Sequence, residues 1–110
     1  MKITNFKQYD KAAMSTAIYP RDHALSYTAL GLAGEAGEVA NVVKKIVRDD
    51  FYTLTEHKRE RLKDELGDVL WYLSRLSSEC GWSLEEVAQA NIEKLERRRA
   101  LDTLHGSGDR

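Results

Sequence analysis

This sequence predicts an all-α chain: a bundle of four to five helices around two long central antiparallel ones, completed by oligomerisation. Three observations carry that reading. Apolar residues recur at three- and four-residue steps over most of the chain. β-Branched residues never alternate with polar ones for long, so strand signals are weak throughout. Proline occurs once, at Pro20, and glycine is sparse outside residues 31–37 and the tail. At 110 residues the chain is expected to form a single domain, with its core at about 22–101 and a glycine-containing tail at 102–110.

A first short helix is expected from about Asn5 to Ser15, with Thr4 as its N-cap. TAIYPRD reads as a connection, because Pro20 disfavours helix at Tyr19. A long second helix should begin near Asp22 and run to about Arg48, with an apolar stripe of Leu25, Leu32, Ala36, Val39, Val43 and Ile46. DDFYTLTEH is the main interhelical loop. A third helix, about Glu56 to Glu79, carries Leu62, Leu66, Val69, Leu73 and Leu76 and stops at Gly81. Ser83 followed by Glu86 forms a capping box that opens a fourth helix, running to about Leu101 with Leu84, Val87, Ile92 and Leu95. The tail HGSGDR should be irregular.

Composition excludes several classes. A net charge of -1 argues against a protein defined by nucleic-acid or membrane electrostatics. The single cysteine, Cys80, precludes an intrachain disulfide framework and fits a reducing compartment; its place before a helix stop predicts burial. No apolar run approaches the ~20 residues that span a bilayer, and MKITNFKQYDKAAM lacks the apolar core of a signal peptide. A cytoplasmic protein is the expectation.

Two acidic pairs stand out. Glu35 and Glu38 lie in GLAGEAGEVANVVKK, and Glu65 and Asp68 in RLKDELGDVLWYL. Each pair is spaced i, i+3, one turn apart on one helical face. Glu35 falls between Leu32 and Val39, and Glu65 between Leu62 and Val69, so both lie on their helices' apolar stripes. A buried carboxylate costs several kcal/mol unless something positive pairs with it. Two such pairs facing each other call for a cation, and hard oxygen donors select Mg2+, Mn2+ or Ca2+. The competing reading is neutralisation by Lys44, Lys45, Arg61 or Lys63. Gly31, Gly34 and Gly37 each cost roughly 1 kcal/mol relative to alanine in a helix, so they point to close helix packing or to clearance for a ligand.

Other metals fit poorly. Carboxylate di-iron sites need Glu-x-x-His motifs, and His23, His57 and His105 fall at none of the required offsets from the four acids. No His/Cys cluster supports zinc, and no nucleophile set is evident. On the fourth helix Asn91, Lys94 and Arg98 share a face and suit phosphate oxygens, although KLERRR taken alone reads as a solvated stretch. Trp71 offers a surface for a nucleobase but more commonly such a residue is core.

GLAGEAGEVANVVKK, then KDELGDVLWYL, then NIEKLERR, in this order and spacing over roughly residues 25–100, resembles the MazG-like nucleoside triphosphate pyrophosphohydrolases of the all-α NTP pyrophosphatase superfamily. The resemblance implies an enzyme that hydrolyses nucleoside triphosphates to monophosphate and pyrophosphate, with Mg2+ as cofactor and Mn2+ able to substitute. It implies Glu35, Glu38, Glu65 and Asp68 as metal ligands, and Glu38 or Glu35 as the residue that orients the attacking water. Asn91, Lys94 and Arg98 would contact substrate, with Arg97 a competitor for the last role and Trp71 a candidate for the base. Family members work as dimers or dimers of dimers, so a homodimer or homotetramer is implied, with nucleotide-pool house-cleaning as the family-level role and neither nucleic-acid polymer nor membrane as partner. Two alternatives stay open: phosphoribosyl-ATP pyrophosphatase, and a helical interaction module that binds metal without catalysis.

Overall fold

A computed structural model describes residues 1–101 of the chain; the tail from 102 onward, with His105, lies outside the described residues. Its helices are α1 (Phe6–Met14), α2 (Ala24–Asp49), α3 (Glu56–Glu79) and α4 (Leu84–Ala100), with a 3-10 turn at Arg21–His23 leading into α2. The fold is all-α, as the periodicity predicts, and no strand occurs among the described residues.

The ends follow local chemistry. The cap of α1 is Asn5 rather than Thr4: its side chain accepts from Gln8 N at 2.8 Å, while Thr4 N and Oγ1 donate to Gln8 Oε1 at 2.7 and 2.9 Å. The short amide side chain thus takes the helix N–H, and Gln8 reaches back one residue further. Before α2, the turn at Arg21–His23 absorbs the start expected at Asp22. Thr55 caps α3, accepting from Lys58 N at 3.2 Å. Gly81, at φ 87°, ends that helix. The Ser83–Glu86 capping box opens α4, as its spacing predicts. Cys80 is exposed rather than buried, because it occupies the outward-turning C-cap of α3.

Helices α2 and α3 run antiparallel and form the main pair. Gly31 lies beneath the ring of Tyr72, Glu35 lies against Glu65 and Asp68, and Asp50 pairs with Lys58 at 2.7 Å, so rising numbers on α2 meet falling numbers on α3. At Gly31 an added Cβ would collide with the Tyr72 ring. Gly34, Gly37 and Gly67 face open space, so close packing accounts for one glycine only.

The inward face of α2 is rotated from the predicted stripe. Ala24, Thr28, Val42 and Ile46 are buried and Leu32 and Val39 half-buried, whereas Leu25, Ala36 and Val43 are exposed. The register set by Tyr72 and the acids turns the helix so that part of its apolar surface faces outward. On α3, Leu66 is likewise exposed while Ser74, Arg75 and Ser77 are buried.

Polar groups replace apolar ones where α1, α3 and α4 meet. Asp10 on α1 accepts from Ser74 Oγ at 2.6 Å through one carboxylate oxygen and from Leu84 N, at the start of α4, at 3.0 Å through the other. Arg75, only 3% exposed, donates to Asp10 O at 3.1 Å and to Ser74 Oγ at 2.9 Å. One acid thereby joins three helices and adds negative charge at a helix N-terminus. Asp10→Ala should strand the Ser74 Oγ and Leu84 N donors, leave the Arg75 guanidinium without its nearest carboxylate, and destabilise the fold by about 3 kcal/mol. Urea denaturation measures this, and a loss below about 0.5 kcal/mol would show that the network is not a structural tie.

Candidate functional site

Glu35 on α2 and Glu65 and Asp68 on α3 each offer a carboxylate oxygen, and the three oxygens lie within 4.8 Å of one another. Glu35 and Glu65 are half-buried and Asp68 is exposed. Glu38 stands one turn beyond, exposed and outside this trio, yet close enough for its charge to act on Glu35. The Glu35 carboxyl is held above the usual carboxylate range, first by burial, then by the charges of Asp68, Glu65 and Glu38.

Lysines and arginines do not relieve this crowding. Among the described residues, the ion pairs of α2 and α3 use Asp10, Asp49, Asp50, Glu60 and Glu79, with Lys63 held by Glu60 at 3.8 Å. The salt-bridge reading of the two acidic pairs is therefore not what the structure shows. Three converging carboxylates with no bridging cation form a donor set of the hard-oxygen type that suits Mg2+ or Mn2+.

An aromatic group borders the acids. Trp71 packs edge-on to Tyr72 at 5.0 Å and to Tyr19 at 6.1 Å, and Tyr19 stacks on Tyr27 at 5.4 Å. The Trp71 indole N–H donates to Thr16 Oγ1 at 2.8 Å. Burial raises the Tyr72 hydroxyl pKa first, then its hydrogen bond and charge interaction with Tyr27, and then the charges of Glu35 and Asp68, which sets this ring at the border of the carboxylates. Tyr72 is a residue to which the sequence gives no site role; its spacing of i+4 from Asp68 and i+7 from Glu65 is the available signal. At the far side Tyr19 Oη donates to Glu79 Oε2 at 2.7 Å, and Arg21 pairs with Glu79 at 2.9 Å.

Asn91 and Lys94 line a groove of about 580 Å³ on α4, together with Trp82, Val87, Ala90 and Arg97 and with two acids, Glu86 and Glu93. Arg98 is 8% exposed and does not line it; Arg97 does. Helix α4 packs on α1 and α3 but not on α2, so this groove and the carboxylates are separate features of one chain. Neither Trp82 nor Arg97 was singled out for such a groove by spacing, since Trp82 precedes the helix and Arg97 sits in a run of like charges.

The raised pKa of Glu35 has a consequence for stability. The fold disfavours ionisation of this group relative to the unfolded chain, so its effect destabilises as pH rises through the raised value and is relieved as pH falls. Glu79 acts with the opposite sign but at more acid pH, because its hydrogen bonds to Arg21 and then Tyr19 depress its pKa. Denaturation in EDTA over about pH 5 to 8 should show Glu35→Gln more stable than the wild type at the neutral end, with the difference shrinking toward the acid end. A difference independent of pH would remove the crowding argument.

Comparison with known proteins bears on the family of the chain. The Gene 37 protein of Mycobacterium phage L5 is similar to this chain, 45% identical over 107 residues that cover 92% of this chain and 94% of that protein. No solved structure matches. The family model for the MazG nucleotide pyrophosphohydrolase domain matches residues 24–100, which hold all four acids and the α4 groove. The chain belongs to the MazG nucleotide pyrophosphohydrolase family.

Proposed function

We propose that this protein hydrolyses nucleoside triphosphates to nucleoside monophosphate and pyrophosphate in a Mg2+-dependent reaction, with Mn2+ able to substitute. The observation that carries this reading is the convergence of Glu35, Glu65 and Asp68 without a cationic partner. These three would hold the metal, with Glu38 completing the set as the charge next to Glu35. A divalent ion bound there supplies positive charge for phosphate oxygens and lowers the pKa of a water.

The remaining steps belong to side chains. Glu38, exposed and outside the trio, is free to orient the water toward the α-phosphorus and take its proton; Glu35 is the second candidate for that role. Asn91 and Lys94 hold phosphate oxygens, the α4 groove of one copy completing the site at the carboxylates of another. Arg97 shares their groove, so it takes the part that the resemblance gives to Arg98, whose burial suits holding α4 in place. Trp71, with Tyr27 and Tyr72, forms a wall beside the acids on which a nucleobase can stack. Net charge of -1 suits a small-molecule substrate rather than a nucleic-acid polymer. No helix among the described residues is long and apolar enough to cross a membrane. The setting we infer is cytoplasmic, in nucleotide-pool house-cleaning, with the chain acting as a homodimer or homotetramer.

Turnover of an NTP and dNTP panel with Mg2+, resolving pyrophosphate from orthophosphate, tests the reaction. Pyrophosphate plus monophosphate, lost with EDTA, is the expected result; turnover of phosphoribosyl-ATP alone would move the substrate, and no turnover of either would leave a binding module. Glu38→Gln and Glu65→Gln should each lower kcat by about 10²-fold or more while helical circular dichroism is kept. Lys94→Ala should raise KM about tenfold, the effect of losing one charge-assisted hydrogen bond. An unchanged KM would return that face of α4 to solvent.

A further inference from the structure

The rings of the aromatic wall are not equivalent. Tyr19, Tyr27, Tyr72 and Trp71 close a circuit of ring contacts, at 5.4, 6.3, 5.0 and 6.1 Å in that order. Tyr19 is buried in it, at 6% exposure. Trp71 stands edge-on to Tyr19 and Tyr72, and its N–H is committed to Thr16 Oγ1 at 2.8 Å. Tyr72 lies over Gly31. Tyr27 differs from these: Tyr19 is stacked on it at an interplanar angle of 19°, yet Tyr27 is still 43% exposed. A ring held from one face and open to water on the other is a pre-positioned surface for a planar group.

Gly34 is a second anomaly on the same helix. Glycine is among the least favourable residues inside a helix. Gly31 has a packing reason in the Tyr72 ring, but a Cβ at residue 34 would meet nothing within 4 Å. Alanine would fit there and favour the helix, so the chain by itself gives no reason for the missing side chain.

Both positions line up with the acids. At 3.6 residues per turn, Gly34 at i+7 and Glu38 at i+11 each return to within roughly 20° of Tyr27 around α2. Glu35, the α2 member of the carboxylate trio, lies eight residues from Tyr27, about 12 Å along the axis. An open ring, then bare backbone, then carboxylates is the order in which a nucleotide presents base, sugar and phosphates.

We infer that the nucleotide lies lengthwise along this edge of α2, with its base on the open face of Tyr27, its sugar crossing the backbone at Gly34 and its phosphates at the carboxylate trio. This placement rests on the catalytic reading of the same site, and adds to it which ring meets the base and why residue 34 carries no side chain. Tyr19 is then a positioning residue, holding the Tyr27 ring from its packed face. Stacking tolerates any base, so loss of the ring should weaken all nucleotides together.

Gly34→Ala separates this placement from a structural role, because stability and binding should move in opposite directions. Its Tm should rise by about 4 °C, since the helix is favoured and nothing in the chain is touched. KM for the nucleotide turned over best in Mg2+ should rise about tenfold, the effect of overpacking by one methyl group. Tyr27→Leu keeps an apolar side chain but no planar face, and should also raise KM about tenfold. Inorganic tripolyphosphate has phosphates without sugar or base, so its inhibition constant should stay within about twofold in both variants. An unmoved KM in either variant would overturn the placement. A tripolyphosphate constant that rises in step with KM would overturn it too, by showing a disturbed carboxylate site. So would altered sedimentation of Gly34→Ala, which would give the bare backbone to contact between copies. A wild type without turnover would sink the catalytic reading instead. Dissociation constants of α,β-methylene nucleoside triphosphates in the same variants would then decide the placement by the same ratios, and no binding to the wild type would overturn it as well.

Discussion

Everything in this fold depends on the register between α2 and α3, and one contact that a side chain could not share is the Tyr72 ring over Gly31. A side chain at residue 31 would push the helices apart or slide them. Either change would separate Glu35 from Glu65 and Asp68, because Glu35 and Asp68 lie one turn beyond the contact and Glu65 two. A single missing Cβ thus sets both the spacing of the central pair and the place where carboxylates converge. Glycine's cost inside a helix is recovered in a ring packed against bare backbone.

That register concentrates negative charge and leaves it uncompensated within the chain. The ion-paired lysines and arginines serve other acids, Lys58 with Asp50, Lys63 with Glu60 and Arg21 with Glu79. Arg75 is buried with Asp10 and Ser74. The distribution is asymmetric: polar ties hold the helix junctions, and the carboxylates at the centre are left short of positive charge. A site arranged this way stores electrostatic cost that a bound cation relieves, so binding and stability are linked through the same residues.

The interior is small for the amount of helix it supports. Its buried apolar residues among those described include Ala13 and Ala24, with Tyr19, Val42, Ile46 and Leu84 the larger ones. Helix α4 touches α1 and α3 but leaves α2 bare on its outer side. Polar networks hold these elements in position, but they do not supply the driving force that apolar burial does. Leu25, Val47 and Phe51, all exposed, are apolar surface that this interior does not take up.

By itself the sequence determined the helices and the identity of the acids. Heptad-like periodicity, the Ser83–Glu86 box and Gly81 are local signals, readable because they act within a few residues of themselves. The bounds of α3 were legible to the residue for that reason, and the cap of α1 was one residue off because Thr4 and Asn5 are both competent caps. Tertiary structure alone decided which face of each helix points inward. Leu25, Ala36 and Val43 are as apolar as Val42 and Ile46, so periodicity could not tell a face buried within the chain from one left outside it. It also decided that Glu35, Glu65 and Asp68 form the trio while Glu38 stands apart, and that Arg97 rather than Arg98 enters the groove. These outcomes depend on helix rotation set by contacts distant in sequence, Gly31 with Tyr72 and Asp10 with Ser74 and Leu84, and such contacts leave no mark in local spacing.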